Sequence, residues 1–372
     1  MRSTTAQKGR SFMKVGVNSA LRASGGGYRQ TGISRYLTEM TEALRQTMQP
    51  DDELIELGLR LGPLGQHASA RILWEQSLLA ADVLRHRLDV FHGPVNALPL
   101  AIRAPTVVTI HDLAFLRYPE HVTTRRRAWL ASSIRFSART ADRIIAVSQH
   151  TADDLRMWLL IDPSRIEVIP MAVSSRIRRL EGSELQVFQL KFDIDRPFVL
   201  AVGTLEPRKN LPMLIQAFAA IKDQVPHRLV LVGPEGWLTD DLRQTVVDLR
   251  LGDRLVMTGF VDDEALGGWY SAADLVVVPS LYEGFGLPLL EAMSCSTPVL
   301  ASNVSSLPEV GGDAARYLDP GDRQSWSEAM LELLGDDDLR ARLVPAGLAR
   351  AGRFSWRESA RATWKVYREV AR

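Results

Sequence analysis

Along this chain, short runs of uninterrupted apolar residues alternate with longer stretches in which apolar positions recur every three or four residues. FVLAV (198–202) and LVVVP (275–279) are apolar at every position. That pattern belongs to parallel strands covered on both faces, not to half-exposed strands that alternate in and out. A first series of predicted strands comprises Lys14–Asn18, Leu54–Leu59, Asp89–His92, Thr106–Ile110, Arg143–Val147 and Ile166–Ile169. A second comprises Phe198–Val202, Leu229–Val232, Leu255–Met257, Leu275–Val278 and Val299–Ala301. Helical patterns such as Ile33–Gln46 and Leu211–Val225 lie between them. Such alternation predicts parallel sheets with crossover helices, and two series predict two doubly wound α/β domains. Ser174–Arg196 is charged and lacks a clear strand, which places the joint there, with a boundary near Asp195. The final segment, FSWRESARATWKVYREVAR, has helical periodicity, with Ser355 as the expected N-cap and Glu358 three residues on.

Length agrees, since 372 residues make about two domains at roughly 150 residues each. The apolar share is 46% and the charged share 24%, ordinary for a globular chain. A net charge of +1 gives no support for nucleic-acid binding. Cys295 is the only cysteine and the seven histidines are scattered, so no disulfide framework and no metal-ligand spacing is expected. Residues 1–12 (MRSTTAQKGRSF) have no apolar core of a signal peptide and read as a flexible extension or a misassigned start. No apolar run reaches the roughly 18 residues of a membrane span, so a cytoplasmic protein is expected.

Candidate chemistry concentrates in LYEGFGLPLLEAMSC (281–295), where Glu283 and Glu291 stand eight residues apart around Gly284-Phe285-Gly286. A helix opening beside Gly286 presents free N–H groups and a positive dipole end, both suited to phosphate oxygens. Upstream, GTLEPRKN ends a strand in the basic pair Arg208 and Lys209, at the carboxyl edge where ligands bind a parallel sheet. Carboxylates suit sugar hydroxyls, so diphosphate and sugar together indicate a sugar nucleotide. On a continuous helix eight residues span about 12 Å, wider than the roughly 5–9.5 Å between the paired acids of glycosidases. The plainer alternatives are solvated glutamates and solvated strand-end charges. SGGGYRQTGISRY (24–36) does not spell a dinucleotide fingerprint and reads as a loop before a helix. His111-Asp112 ends the strand VVTI, where a histidine is often only a structural hydrogen-bonder. Ser148 reads as an N-cap, and Asn303, Ser305, Ser306 and Glu309 either line a nucleotide pocket or form an ordinary polar loop. Arg125, Arg126 and Arg127, with Arg135 and Arg139, form a basic helix face that is either solvated or a contact for anionic lipid.

Glu283-x7-Glu291, GTLEPRKN, TIHDL (109–113) and TPVLASNVSSLPEVGGDAA (297–315), in that order, resemble retaining glycosyltransferases of the large nucleotide-sugar group with the GT-B fold. The resemblance runs from about Met13 to the C-terminus and implies two Rossmann-like domains facing a cleft. Residues 13–195 would form the acceptor side, 196–353 would bind the nucleotide sugar, and 354–372 would cross back as a helix. By resemblance Glu283 holds donor-sugar hydroxyls and Glu291 the ribose. Gly284, Phe285, Gly286 and Leu287 offer N–H groups, Gly32 contacts phosphate, and Gly203 and Asn210 complete the donor set. Lys209 and Arg208 would stabilise the leaving diphosphate without a metal or cofactor. His111 would lie beside the donor sugar, and Asp112 on the acceptor side. The motifs look most like bacterial mannosyltransferases of surface polysaccharide assembly, which favours GDP-mannose, although UDP-glucose, UDP-GlcNAc and dTDP-rhamnose fit them too. The acceptor would be a glycan or lipid-linked. Two positions depart from the pattern: Thr204, where many relatives have Arg, and Ser296, where they often have Gly. They leave open a non-catalytic sugar-nucleotide-binding subunit. A glycan hydrolase or phosphorylase and, weakest, a Rossmann dehydrogenase are the other readings.

Overall fold

The structure is a computed structural model that describes residues 12–22, 32–58 and 73–371, without the side chains of Arg125 and Arg126. Its first sheet contains β1 (Lys14–Asn18), β2 (Glu53–Leu57), β3 (Val90–Gly93), β4 (Thr106–Ile110), β5 (Arg143–Ala146) and β6 (Ile166–Val168) in the order β2-β1-β3-β4-β5-β6. Its second contains β7 (Phe198–Val202), β8 (Arg228–Val232), β9 (Leu255–Gly259), β10 (Leu275–Val278), β11 (Val299–Ser302) and β12 (Arg316–Leu318) in the order β12-β11-β10-β7-β8-β9. The pairings within both sheets are parallel.

Continuous apolar runs here mean two covered faces. In β7, Phe198 and Leu200 enter one cluster while Val199 and Ala201 enter another on the opposite side. The first sheet does the same, with Val107 on one side and Val108 and Ile110 on the other. One cluster is shared between the domains. It joins Val15, Val90 and Val107 of the first sheet to Leu200, Val230 and Val276 of the second. In each sheet the chain steps outward to one edge, then returns to the other side of its first strand. The reversals fall between β1 and β3 and between β7 and β10, and the crevices outside those strand ends are where doubly wound sheets bind ligands.

Helix α1 (Gly32–Thr47) packs against the last helix, α6 (Trp356–Val370). The buried positions Trp356, Ser359, Ala360, Thr363, Trp364 and Tyr367 of α6 recur at helical spacing. Trp364 Nε1 donates to the Leu44 carbonyl at 3.0 Å, and the Tyr367 hydroxyl lies 2.7 Å from His92 Nδ1. The chain thus ends on the domain in which it began. Ser355 does stand at the N-cap of α6, but its hydroxyl makes no cap hydrogen bond. The stretch expected to be featureless contains helix α4 (Gly182–Lys191), whose Phe188 packs on Trp269 and against Gly268. Its contacts are therefore with the second domain well before Asp195. Strand β12 escaped the sequence pattern because RYL is three residues long and begins with an exposed Arg.

Between these helices, α5 (Leu287–Ser294) ends in a Schellman motif. Thr297 N donates to Ala292 O at 3.0 Å and Ser296 N to Met293 O at 3.1 Å. The motif puts Ser296 at φ +63°, a left-handed conformation that glycine adopts without strain. Part of the cost is offset by the hydrogen bond that Arg179 donates to the Ser296 hydroxyl. Ser296→Gly is therefore expected to stabilise the protein by about 1 kcal/mol, read as a higher denaturant midpoint at unchanged slope. A lower midpoint would mean that the Arg179 contact outweighs the strain.

Candidate active site

The turn after β7 and the turn after β10 meet at the second sheet's switch point, and their charged side chains meet with them. Glu283 is 6% exposed, with Lys209 Nζ 2.5 Å from Oε1 and Arg208 Nη1 2.7 Å from Oε2. Ser280 Oγ donates to Oε1 at 2.7 Å. Arg208 also binds Glu206 Oε1 through Nη2 at 2.6 Å and donates to the Tyr282 carbonyl. Burial alone would push the Glu283 carboxyl up, but the Arg208 and Lys209 cations outweigh it and hold it down at about 2. Glu283 is thus an acceptor throughout the neutral range and unsuited to act as a general acid. Burial likewise disfavours the Arg208 cation, and Glu283 and Glu206 more than compensate.

Gly284 brings this cluster against the first domain. A Cβ there would stand 1.8 Å from the His111 carbonyl oxygen and 2.9 Å from Asp112 Cβ, so only glycine permits the approach. The contact is fastened by Ser148 Oγ, which donates to the Gly284 carbonyl at 2.6 Å. The same hydroxyl accepts from Thr151 N and caps α3 (Gln149–Leu159). Beside it, the Glu309 carboxylate accepts from Gln149 N and His150 N, so its place is a cross-domain cap on that helix. Tyr282 OH donates to Asp154 Oδ2 at 2.6 Å.

His111 at the end of β4 is 7% exposed, and burial lowers its pKa despite the Pro94 and Asp112 contacts. Its Nε2 lies 2.8 Å from the Pro94 carbonyl, so the neutral ring carries its proton there and leaves Nδ1 as a lone-pair acceptor. Asp112 Oδ1 accepts from Ala114 N. A Cβ at Gly32 would lie 3.9 Å from Leu287 Cδ1, so the first turns of α1 and α5 converge. The glycine loop at residues 24–31 lies outside the described residues. Gly286, at φ +101°, makes the sharp entry into α5, and Phe285 is buried against Phe354.

Two expected donor contacts have other work. Gly203 N donates to Val232 O, and its bare Cα leaves room for Lys209, whose Cε would be 3.0 Å from a Cβ. Asn210 spends both amide protons on the Pro279 and Pro320 carbonyls, which fixes the turn that carries Lys209. The structure thus joins Arg208, Lys209, Glu283, Gly284, His111 and Asp112 in one region. Glu291, 1% exposed, has a separate set of partners. Tyr270 OH donates to Oε2 at 2.8 Å, and Arg35 of the first domain reaches Oε1 at 2.5 Å. Sequence reasoning missed Arg35. Its signal is a cation in the first turn of α1, at the positive end of the helix dipole, where basic residues are disfavoured.

Among the described residues no group of three His, Cys, Asp or Glu side chains is placed to hold a metal ion, and no helix is long and apolar enough to cross a membrane. Helix α2 (Thr124–Thr140) exposes Arg127, Arg135 and Arg139.

A family model described as glycosyl transferases group 1 matches residues 183–350, and one described as glycosyltransferase family 4 matches residues 31–176. The chain is 36% identical over 285 residues to an O-antigen chain mannosyltransferase B of Escherichia coli, covering 75% of this chain and 74% of the relative. A serotype-specific mannosyltransferase of the same species is 30% identical over 299 residues, and this chain spans 36% of its length. A D-inositol 3-phosphate glycosyltransferase of Nocardioides sp. is 32% identical over 364 residues, 89% of this chain and 79% of the relative. Among solved structures, sucrose-phosphate synthase from Thermosynechococcus elongatus superposes with a TM-score of 0.75 at 24% identity over 96% of this chain and 98% of that one. Anabaena HepE, crystallised with UDP and glucose, superposes with a TM-score of 0.71 at 20% identity over 96% of this chain and all of its own.

The geometry yields two expectations. Gly284→Ala should lower kcat/KM by about 100-fold, because its Cβ drives the strand ends apart, while the melting temperature moves only a few degrees. Full activity would mean that the close contact is dispensable. The Glu283 carboxyl, held below its ordinary value of 4.5, contributes stability that is complete above about pH 4.5 and lost as pH falls toward about 2. The stability difference between wild type and Glu283→Gln should therefore be flat from pH 8 to 5 and change only below. A change centred near neutrality would contradict the assigned ion cluster.

Proposed function

This chain therefore belongs to the group 1 glycosyltransferases, and on that premise we propose that it moves mannose from GDP-mannose to a glycan or lipid-linked acceptor in polysaccharide biosynthesis, with retention at the anomeric carbon. The observation that carries the chemistry is the Glu283 carboxylate clamped between Arg208 and Lys209 at the switch point of the second sheet. The donor's identity is supported by the mannosyltransferase relative, which aligns over about three quarters of each chain.

In this reading the nucleotide sugar lies along the crevice between β7 and β10, with its sugar toward His111 and its diphosphate toward Arg208, Lys209 and the opening of α5. Glu283, ionised and hydrogen-bonded, accepts from sugar hydroxyls. Its pairing to two cations makes it a poor nucleophile, which favours attack by the acceptor on the face from which the diphosphate departs. A diphosphate oxygen then takes the acceptor's proton. As the glycosidic bond lengthens, negative charge grows on the diphosphate beside Lys209 and Arg208, whose positions are already fixed. Charge compensation falls to these side chains, so the reaction is proposed to run without a metal. Neutral His111 offers Nδ1 to a donor-sugar hydroxyl, and Asp112 faces the acceptor side. The exposed Arg127, Arg135 and Arg139 support a peripheral contact with anionic lipid when the acceptor is lipid-linked.

A glycosidase reading fits less well. It requires one carboxyl raised enough to donate a proton, whereas Glu283 is lowered and Glu291 is engaged by Arg35 and Tyr270. The similarity to inositol-phosphate glycosyltransferases favours a second acceptor class, a phosphorylated polyol, which the same assay can include.

The test is a thermal-shift panel of GDP-mannose, UDP-glucose, UDP-GlcNAc and dTDP-rhamnose, followed by NMR assignment of the product anomer. GDP-mannose at about 100 times its Kd should add roughly 2.7 kcal/mol of stability. A shift with another nucleotide sugar alone would replace the donor, and an inverted product would overturn the mechanism. Lys209→Ala should lower kcat by about 100-fold or more, with a much smaller change in donor Kd. Equal losses would mean that Lys209 holds only the ground state.

A further inference from the structure

Among the described residues, the side chain of Arg35, in the first domain, has its partners in the second. Its Nη1 is 2.5 Å from Glu291 Oε1, and its Nε and Nη2 both reach Asp263 Oδ1, at 3.1 and 2.6 Å. The ion cluster is nearly dry, with side-chain exposures of 11% for Arg35, 10% for Asp263 and 1% for Glu291. The second Glu291 oxygen is held by Tyr270, whose hydroxyl is fully buried within the second domain. Both carboxylate oxygens of Glu291 are thus occupied, one from inside its own domain and one from across the cleft. Each oxygen keeps a second lone pair, but at 1% exposure the carboxylate is closed to solvent and Arg35 covers Oε1 from the first-domain side, so a donor hydroxyl that takes that position displaces Arg35. Asp263 holds the other edge of the guanidinium, so Arg35 has a place to stay when its Nη1 is released.

We propose that Arg35 is a positioning residue that competes with the donor for Glu291, with Asp263 as the alternative seat that lets it yield. The proposal rests on the assignment of Glu291 to the donor nucleotide. In it, the pair ties the domains together, and donor binding exchanges one ion pair for hydroxyl hydrogen bonds. The two partners of Arg35 then act in opposite directions. Removing Arg35 frees Glu291 for the donor, whereas removing the charge of Asp263 leaves Arg35 bound to Glu291 alone and harder to displace. A role confined to folding moves both variants the same way.

The experiment titrates GDP and UDP into wild type, Arg35→Gln, Asp263→Asn and Arg35→Gln/Glu291→Gln by calorimetry, with kcat measured on the same samples and circular dichroism as the folding control. Expected for Arg35→Gln is a nucleotide Kd about fivefold lower together with a reduced kcat, a split that loss of structure does not produce. Asp263→Asn should raise Kd, and adding Glu291→Gln should cancel the gain of Arg35→Gln. Wild-type binding with an unchanged or higher Kd in Arg35→Gln overturns the competition alone. Absence of wild-type binding to either nucleotide overturns it together with the functional reading. If Arg35→Gln does not fold, Asp263→Asn decides, since an unchanged or lower Kd there also rejects the proposal.

Discussion

A carboxylate out of contact with water is stable only where cations and donors replace its hydration, and Glu283 shows what that requirement imposes on a fold. Its compensating groups come from the turn after β7 and, through Ser280, from its own turn after β10. Both strands must therefore be adjacent and parallel, with their carboxyl ends at the same edge. The 12-11-10-7-8-9 order meets that condition. Asn210 fixes the turn that carries Lys209, and Gly203 leaves the lysine room. The same constraint makes the charge chemically useful, because cations prearranged around one anion are already in place for another that develops beside it.

The second domain also depends on the first. Gly284 abuts the His111 backbone, Ser148 holds the Gly284 carbonyl, Glu309 caps α3, and Arg35 reaches Glu291. Two of these four contacts, those of Gly284 and Ser148, use groups that also serve a local purpose, in a turn and as a helix cap. Changes in domain separation are thus felt at the ends of secondary structure elements.

Much of the architecture was legible in the sequence because continuous apolar runs are written directly into it. FVLAV and LVVVP lie in central strands with both faces covered. β12 was not legible, since three residues with an exposed Arg carry no period. The helix at 182–191 carries no amphipathic period, because Val187 and Leu190 are exposed while Phe188, with Phe192 just beyond the helix, packs on Trp269. Within the site, Glu283, Arg208 and Lys209 could be singled out by their positions at strand ends, but their mutual pairing spans 74 and 75 residues and has no local signature. For the same reason the sequence does not reveal that the Asn210 amide and the Gly203 N–H make hydrogen bonds that serve the turn. Arg35 was the detectable omission, because its position conflicts with the dipole of its own helix.

The return of α6 to the first domain means that the polypeptide passes between the domains twice, once before Gly182 and again between Ala351 and Trp356. One covalent tether would let the second domain swing and twist about a point. Two tethers define an axis, and rotation about that line is the freedom left to the pair. The C-terminal helix thus serves as the second pin of a hinge. A truncation that removed it would leave a single covalent tether between the domains and uncover the face of α1 on which Trp364 packs.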